Sequence, residues 1–285
     1  MLLLPLFFME VANKPWRGRV TGTATAVDNF FGKTNGYNAF ITHYANLCAG
    51  RIDGFAIGSE MIGLTKVMGT PAGVFPAVNR LVTLAGTVRS ILGGSVKLTY
   101  AADWSEYHHE ANGWYNLDPL WASPNIDVIG IDGYFPLTDE PQSGITLEKI
   151  MAGWTSGEGY DWYYTDEART QKAPLAPAYA WKNIGWFWSQ PHVNPNGTTT
   201  AWVPASKKIW FTEYGFPSVD GATNQPNVFY DPSSSESFFP RFSRGQVDFR
   251  AQRLGIAATE AVWGSSSMVE RRFLWTWDAR PYPFY

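Results

Sequence analysis

Short apolar runs that lead into polar or acidic residues recur along this chain, most of them separated by helical or long connecting segments. They are Leu2 to Phe8, Ile52 to Ser59, Val96 to Ala101, Ile126 to Ile131, Lys208 to Thr212 and Phe273 to Asp278. Strands apolar without alternation are those covered on both faces, as in a parallel sheet. Helical spacing is clearest from Pro76 to Leu92, where Leu81, Leu84, Ala85, Val88, Ile91 and Leu92 recur at steps of three and four. Shorter helices fit Phe40 to Leu47 and the stretch around Val247 to Val262. Alternating β and α, with chemistry-bearing residues at the C-terminal ends of the strands, predicts a (β/α)8 barrel of the TIM type, whose active site lies at that face. A doubly wound open sheet competes, but the Gly-rich phosphate turn it usually carries is absent. Six strands are two short of closure and the chain starts directly on one. The expectation is therefore an incomplete barrel, strands three to eight present and two N-terminal strands missing, from a fragment or a start-site truncation. The 285 residues read as one such domain with a long aromatic-rich insertion at about 138–206.

Two of the runs end on Glu. Ile52-Asp53-Gly54-Phe55-Ala56-Ile57-Gly58-Ser59 leads into Glu60, and Lys208-Ile209-Trp210-Phe211-Thr212 into Glu213. Either Glu alone is also what a solvated strand end looks like. A matched pair at one face of a barrel can cleave a glycosidic bond, one carboxyl protonating the leaving oxygen while the other attacks the anomeric carbon or activates water. Strand alternation places Ala56, Gly58 and Glu60 on one side of their strand and Ile209, Phe211 and Glu213 on one side of theirs.

Composition narrows the partners. Trp, Tyr and Phe make up 16% of the residues, equal to all charged residues together. Such an excess suits sugar faces, and also a large aromatic core. The net charge of −3 comes without a basic run, which argues against nucleic acid and anionic membrane. No run is long enough to span a bilayer, and the apolar opening lacks the basic flank and cleavage site of a signal peptide. The single cysteine, Cys48, allows no intrachain disulfide. Neighbouring His108 and His109 cannot share a metal at helical spacing, and His43 and His192 sit in no ligand pattern. No metal, nucleotide or Ser-His-Asp pattern stands out, so no cofactor is expected.

Gly58-Ser59-Glu60, Asp132-Gly133-Tyr134-Phe135-Pro136, Phe211-Thr212-Glu213-Tyr214-Gly215 and Trp275-Thr276-Trp277 resemble the clan of retaining glycosidases that carry acid/base and nucleophile on barrel strands four and seven, its β-mannanase-like members in particular. More narrowly, Pro15-Trp16-Arg17-Gly18-Arg19, Ala101-Ala102-Asp103-Trp104-Ser105-Glu106-Tyr107, Glu158-Gly159-Tyr160-Asp161-Trp162, Thr223-Asn224-Gln225-Pro226-Asn227-Val228 and Trp277-Asp278-Ala279-Arg280-Pro281 resemble the TIM-barrel-like domain of the large tail protein of gene transfer agents and related phages. These motifs follow in order over almost the whole chain.

The resemblance implies Glu60 as general acid/base, Glu213 as nucleophile, Tyr134 as hydrogen-bond donor to Glu213 and Trp277 as the floor beneath the sugar. It implies that Trp16, Arg17, Ser59, Asp103, Trp104, Asp132 and Trp275 line the same cleft. Glu60 would then have to stay protonated near neutral pH and Glu213 ionised through donors. Ser59 departs from the glycosidase pattern, which has Asn there to bond the sugar 2-hydroxyl. The implied substrate is a bacterial polysaccharide or peptidoglycan, and the implied partners are other tail proteins. The implied location is the virion or gene-transfer-agent tail, after synthesis in the cytoplasm. A non-catalytic glycan-binding or structural tail module is the alternative.

Overall fold

The structure, a computed structural model, describes residues 1–276. In chain order its strands are β1 (Leu2–Leu3), β2 (Gly54–Ser59), β3 (Lys97–Asp103), β4 (Val128–Asp132), β5 (Trp162–Tyr164), β6 (Lys172–Pro174), β7 (Lys208–Tyr214) and β8 (Val269–Leu274). Its α-helices are α1 (Ala24–Gly32), α2 (Tyr37–Cys48), α3 (Ile62–Thr65), α4 (Pro76–Leu92), α5 (Asp118–Trp121), α6 (Leu147–Gly153), α7 (Ile184–Ser189) and α8 (Phe249–Trp263). Six strands form one sheet in the order β1-β2-β3-β4-β7-β8, every pairing parallel, with β1 and β8 as its edges among the described residues. This is the expected mixed α/β architecture, an incomplete TIM barrel. The sheet curls strongly: a Cβ on Gly54 of β2 would lie 3.4 Å from the ring of Trp210 on β7, although two strands stand between them.

Helix α4 runs from Pro76 to Leu92, as its apolar spacing predicts, and buries Leu81, Leu84, Ala85 and Val88. Helix α2 extends the expected Phe40 to Leu47 at both ends, and α8 starts two residues after the expected Val247 and ends one residue after Val262. Helix α1 was not anticipated. Its signals are Thr23, whose hydroxyl caps Ala26 N–H at 3.2 Å, and the buried pair Val27 and Phe31 four residues apart.

Two strands differ from the sequence reading. β1 stops at Leu3 rather than Phe8 because Pro5 has no N–H to give the ladder. Phe7 turns instead onto Phe30 and Tyr37 of α1 and α2, with ring centroids 6.0 Å apart in each case. β8 covers Val269–Leu274, beginning four residues before the expected Phe273, and the expected end at Trp277 and Asp278 lies outside the described residues. It is an edge strand whose polar side chains have partners: Glu270 accepts from Trp210 Nε1 at 2.7 Å and Arg272 pairs with Glu260 at 2.8 Å. A search for apolar runs cannot see such a strand.

The segment 138–206 is ordered secondary structure, holding α6, the antiparallel pair β5–β6 and α7. Its aromatic residues build core: Trp154 stacks on Phe211 of β7 at 5.8 Å and 9°. His192, completely buried, stacks on Tyr115 at 4.3 Å and faces Asp118 at 2.8 Å. No helix among the described residues is long and apolar enough to cross a membrane.

Candidate active site

Both acidic strand ends reach the same place, though simple alternation does not put them there. Between Ala56 and Ser59 the register of β2 against β3 slips, and between Ile131–Phe211 and Asp132–Glu213 the register of β4 against β7 slips. Each slip is a bulge that re-aims the residues after it. Upstream of the second, Phe211 faces the helices, packed on Trp154 and on Trp263 of α8 at 5.8 and 5.9 Å. Downstream, Glu213 turns to the opposite side. On β2, a Cβ on Gly58 would lie 2.9 Å from Tyr37 Oη, so Gly58 faces α2 while Ser59 and Glu60 face the barrel. The shared parity expected of Gly58 with Glu60, and of Phe211 with Glu213, is thus broken in both strands. Glu60 sits beyond the strand at φ +51, a left-handed conformation uncommon for Glu, held by its N–H donating to Ala101 O at 2.8 Å.

At this point Glu60, Asp132 and Glu213, all buried, bring carboxylate oxygens within 4.8 Å of one another. Asp132 lies at the centre, accepting from Thr212 Oγ1 at 2.7 Å and from Ser59 Oγ at 3.3 Å. Tyr134 Oη donates to Glu213 Oε2 at 2.8 Å, the bond the sequence reading expected. Trp16 Nε1 and Arg17 Nη2 both donate to Glu60 Oε2 at 2.8 Å. The same Nη2 reaches Ser59 Oγ at 2.8 Å, and Arg17 Nε reaches the Ser59 carbonyl at 3.1 Å. Arg17 and Glu60 are each about nine-tenths buried, so this ion pair is poorly screened by water. Three carboxylates this close have the spacing of a cation site, but here a guanidinium supplies the counter-charge and donors already engage both Asp132 oxygens.

Burial governs the protonation of the remaining acids. Desolvation, and then the Glu60 charge, pushes Glu213 up to about 7, against a smaller downward pull from the Tyr134 hydroxyl. Asp103, at the end of β3, is likewise pushed to about 7 by burial and then by Glu60, although Ser105 donates to it from both N–H and hydroxyl. Asp132 is held well above the carboxylate range by burial, then by the charges of Glu213 and Glu60. Both Glu60 and Glu213 are buried, Glu60 beside the Arg17 guanidinium and Glu213 beside the Tyr134 hydroxyl.

Of the other expected residues, Trp104 packs edge-on against Phe135 at 6.2 Å. Trp275, just past β8, is 51% exposed, its N–H donating to Tyr214 O at 2.7 Å. Trp277 lies outside the described residues. Four site residues escaped the sequence reading. Thr212 holds Asp132. Tyr100 and Thr65 donate to the buried Glu106 at 2.9 and 2.5 Å, and Glu106 Oε2 accepts from Asp103 N–H at 3.2 Å. The signal for Glu106 was its place three residues after Asp103; Thr212 carried none beyond adjoining Glu213. A cavity of about 610 Å³, walled by Phe7, Phe8, Lys14, Trp16, Arg17 and Phe229 among others, opens beside this cluster. Trp16 and Arg17 belong to both cavity wall and Glu60 shell.

Residues 35–285 match the family described as the GTA TIM-barrel-like domain. Among solved structures, the chain is similar to a complex structure of a GH113 β-1,4-mannanase, at 17% identity and TM-score 0.47 over 85% of this chain and 51% of that one. The chain thus spans about half the length of the mannanase chain it matches. No curated protein matches it.

Proposed function

The chain belongs to the family of the GTA TIM-barrel-like domain, and on that premise we propose that it hydrolyses a bacterial cell-envelope glycan by a retaining mechanism based on Glu60 and Glu213. The observation that carries the proposal is the approach of their carboxylate oxygens to within 4.8 Å. That bound, on one oxygen of each group, is compatible with the roughly 5–5.5 Å between the carboxyl groups of retaining glycosidases. In the first step one carboxylate attacks the anomeric carbon while the other carboxyl gives its proton to the departing oxygen. A water, deprotonated by the second group, then releases the sugar from the first. Tyr134 bonds Glu213, Arg17, itself bonded to Ser59, bonds Glu60, and Trp16 offers an aromatic face beside the pair. The envelope glycan and the tail setting are what the family resemblance implies.

A second reading, a glycan-binding or structural tail module without turnover, is favoured by Ser59 in place of the glycosidase Asn and by the two donors that already engage Glu60. The test is release of reducing ends from purified peptidoglycan and capsular polysaccharide by the wild type, Glu60→Gln and Glu213→Ala. Release by the wild type alone supports hydrolysis. Equal release from all three overturns it, and binding by all three without release selects the module.

A further inference from the structure

Apart from the carboxylates, a second cavity of about 270 Å³ opens in the segment that joins β4 to β7. Among the described residues its wall is drawn entirely from 136–182: the chain after β4, helix α6 with the turn that follows it, Trp162 of β5, and Lys182. Both β4 and β7 lie inside the sheet, so neither sheet edge contributes to this wall. Glu60, Asp132, Tyr134 and Glu213 take no part in it.

The charges in the wall are unequally served. Asp139 accepts from Lys172 Nζ at 2.8 Å, Glu140 from Lys149 Nζ at 2.8 Å, and Glu158 from Arg169, so each carboxylate has a cation of its own. Lys182 is different. It is 2% exposed, and among the described residues its Nζ donates to one acceptor, the Pro136 carbonyl at 2.7 Å, and pairs with no carboxylate. An ammonium carries three N–H groups, so two remain for whatever enters. Gly157 leaves them room: a Cβ there would lie 3.9 Å from Nζ, at a φ of +80 that favours glycine. Burial lowers Lys182 to about 7, against smaller opposing pulls from Glu158 and Asp161, as expected of a buried donor without an ion partner.

These walls select a ligand class. An anion would satisfy Lys182 but stand beside three carboxylates, and a cation would oppose Lys182 and Lys149. A neutral molecule with several hydroxyls meets both demands, accepting from Lys182 and donating to carboxylate lone pairs that the cations leave open. Trp162 adds an aromatic surface of the kind that covers the apolar face of a sugar ring. Its ring is fixed by the Lys172 ammonium, 3.6 Å from the centroid, and by Tyr164 edge-on at 5.0 Å. The volume falls just below the roughly 300–1,000 Å³ of ordinary ligand pockets, which suits one ring rather than a chain.

We propose that this cavity is a second carbohydrate site, holding one neutral sugar residue among Trp162, Lys182 and Glu158 and separate from the Glu60–Glu213 pair. Trp162 covers the ring, Lys182 Nζ donates to one hydroxyl, and Glu158 accepts from another. The site binds without chemistry, so it stands whether or not the carboxylate pair hydrolyses a glycan. Its role is to hold the protein on a glycan independently of turnover.

The experiment is a ¹H–¹⁵N NMR titration of the whole chain with glucose and with N-acetylglucosamine, following the Trp162 indole N–H, assigned by its loss in Trp162→Phe. A saturable shift with at least one of these neutral sugars is expected, and it should persist in Glu213→Ala. Ala152 is exposed on α6 in the cavity wall, so Ala152→Trp blocks the cavity without entering the core. That variant should weaken binding about tenfold or more, as should Lys182→Met, which removes a charged donor. Glucosamine, a cation, and glucuronic acid, an anion, should bind more weakly than the neutral sugars. An indole that neither neutral sugar shifts overturns the proposal, as does an affinity unchanged in Ala152→Trp or tighter binding of either charged sugar. If Lys182→Met does not fold, Ala152→Trp decides alone. Glycan release measured in parallel separates the two ideas: release without a Trp162 shift sinks only this site, and the shift without release sinks only the hydrolase.

Discussion

Thr212 donates its hydroxyl to Asp132 Oδ1 at 2.7 Å, across the place where β7 slips one residue against β4. The slip turns Thr212 and Glu213 toward the same cleft, where a regular strand would turn one of them to the helices. The buried Asp132 at its centre makes the arrangement expensive to disturb, because each carboxylate oxygen already has its donor. Four measurements probe how this end of the barrel is held.

Glu106 is pushed up to about 8 by burial, against the pull of its three donors. Its folded value lies above its unfolded one, so its stabilising contribution is complete below about pH 4.5 and is lost as pH rises through about 8. Glu106→Gln cannot ionise. The wild type should lose stability relative to Glu106→Gln between pH 5 and 8, with the difference levelling above that, as read from melts of both proteins. A pH-independent difference would contradict the assignment.

Tyr134→Phe removes the hydroxyl that lowers Glu213 from the value burial alone would set. The Glu213 midpoint should rise above about 7, measured by carboxyl ¹³C NMR titration of glutamate-labelled protein. A fall would mean that Glu213 gives more than it takes in this bond.

His192 and Asp118 are both fully buried, joined at 2.8 Å, with His192 Nε2 donating to the Phe187 carbonyl at 2.8 Å. His192→Ala leaves a buried carboxyl short of a partner and removes the ring stacked on Tyr115. It should cost about 3–5 kcal/mol. In a denaturation cycle with Asp118→Asn, the double variant should cost less than the two singles added together.

Gly153 ends α6 hard against the chain after β4. A Cβ there would lie 1.9 Å from the Leu137 carbonyl oxygen, a backbone atom that cannot step aside. Gly153→Ala should therefore lose about 1–3 kcal/mol or more in chemical denaturation. A neutral substitution would show that α6 is free to shift.

Much of the fold is legible along the chain because its causes are local. Pro76 and the three-and-four spacing that follows define α4 to the residue, and the apolar runs before Glu60, Asp103, Asp132 and Glu213 give four of the parallel strands. The edges of the sheet were harder. β8 satisfies its polar side chains with Glu260 and Trp210, partners that no window of sequence contains.

The site divides in the same way. Strand ends set by local pattern determined that Glu60, Asp132 and Glu213 would gather at one face. Which way each side chain points, and which carboxyl is given the positive charge, was decided only in three dimensions. Two bulges depend on the register between strands, and Arg17 reaches Glu60 and Ser59 from a loop more than forty residues upstream. Register and long-range hydrogen bonds are properties of pairs of segments, and their energies exist only once the barrel has brought those segments together.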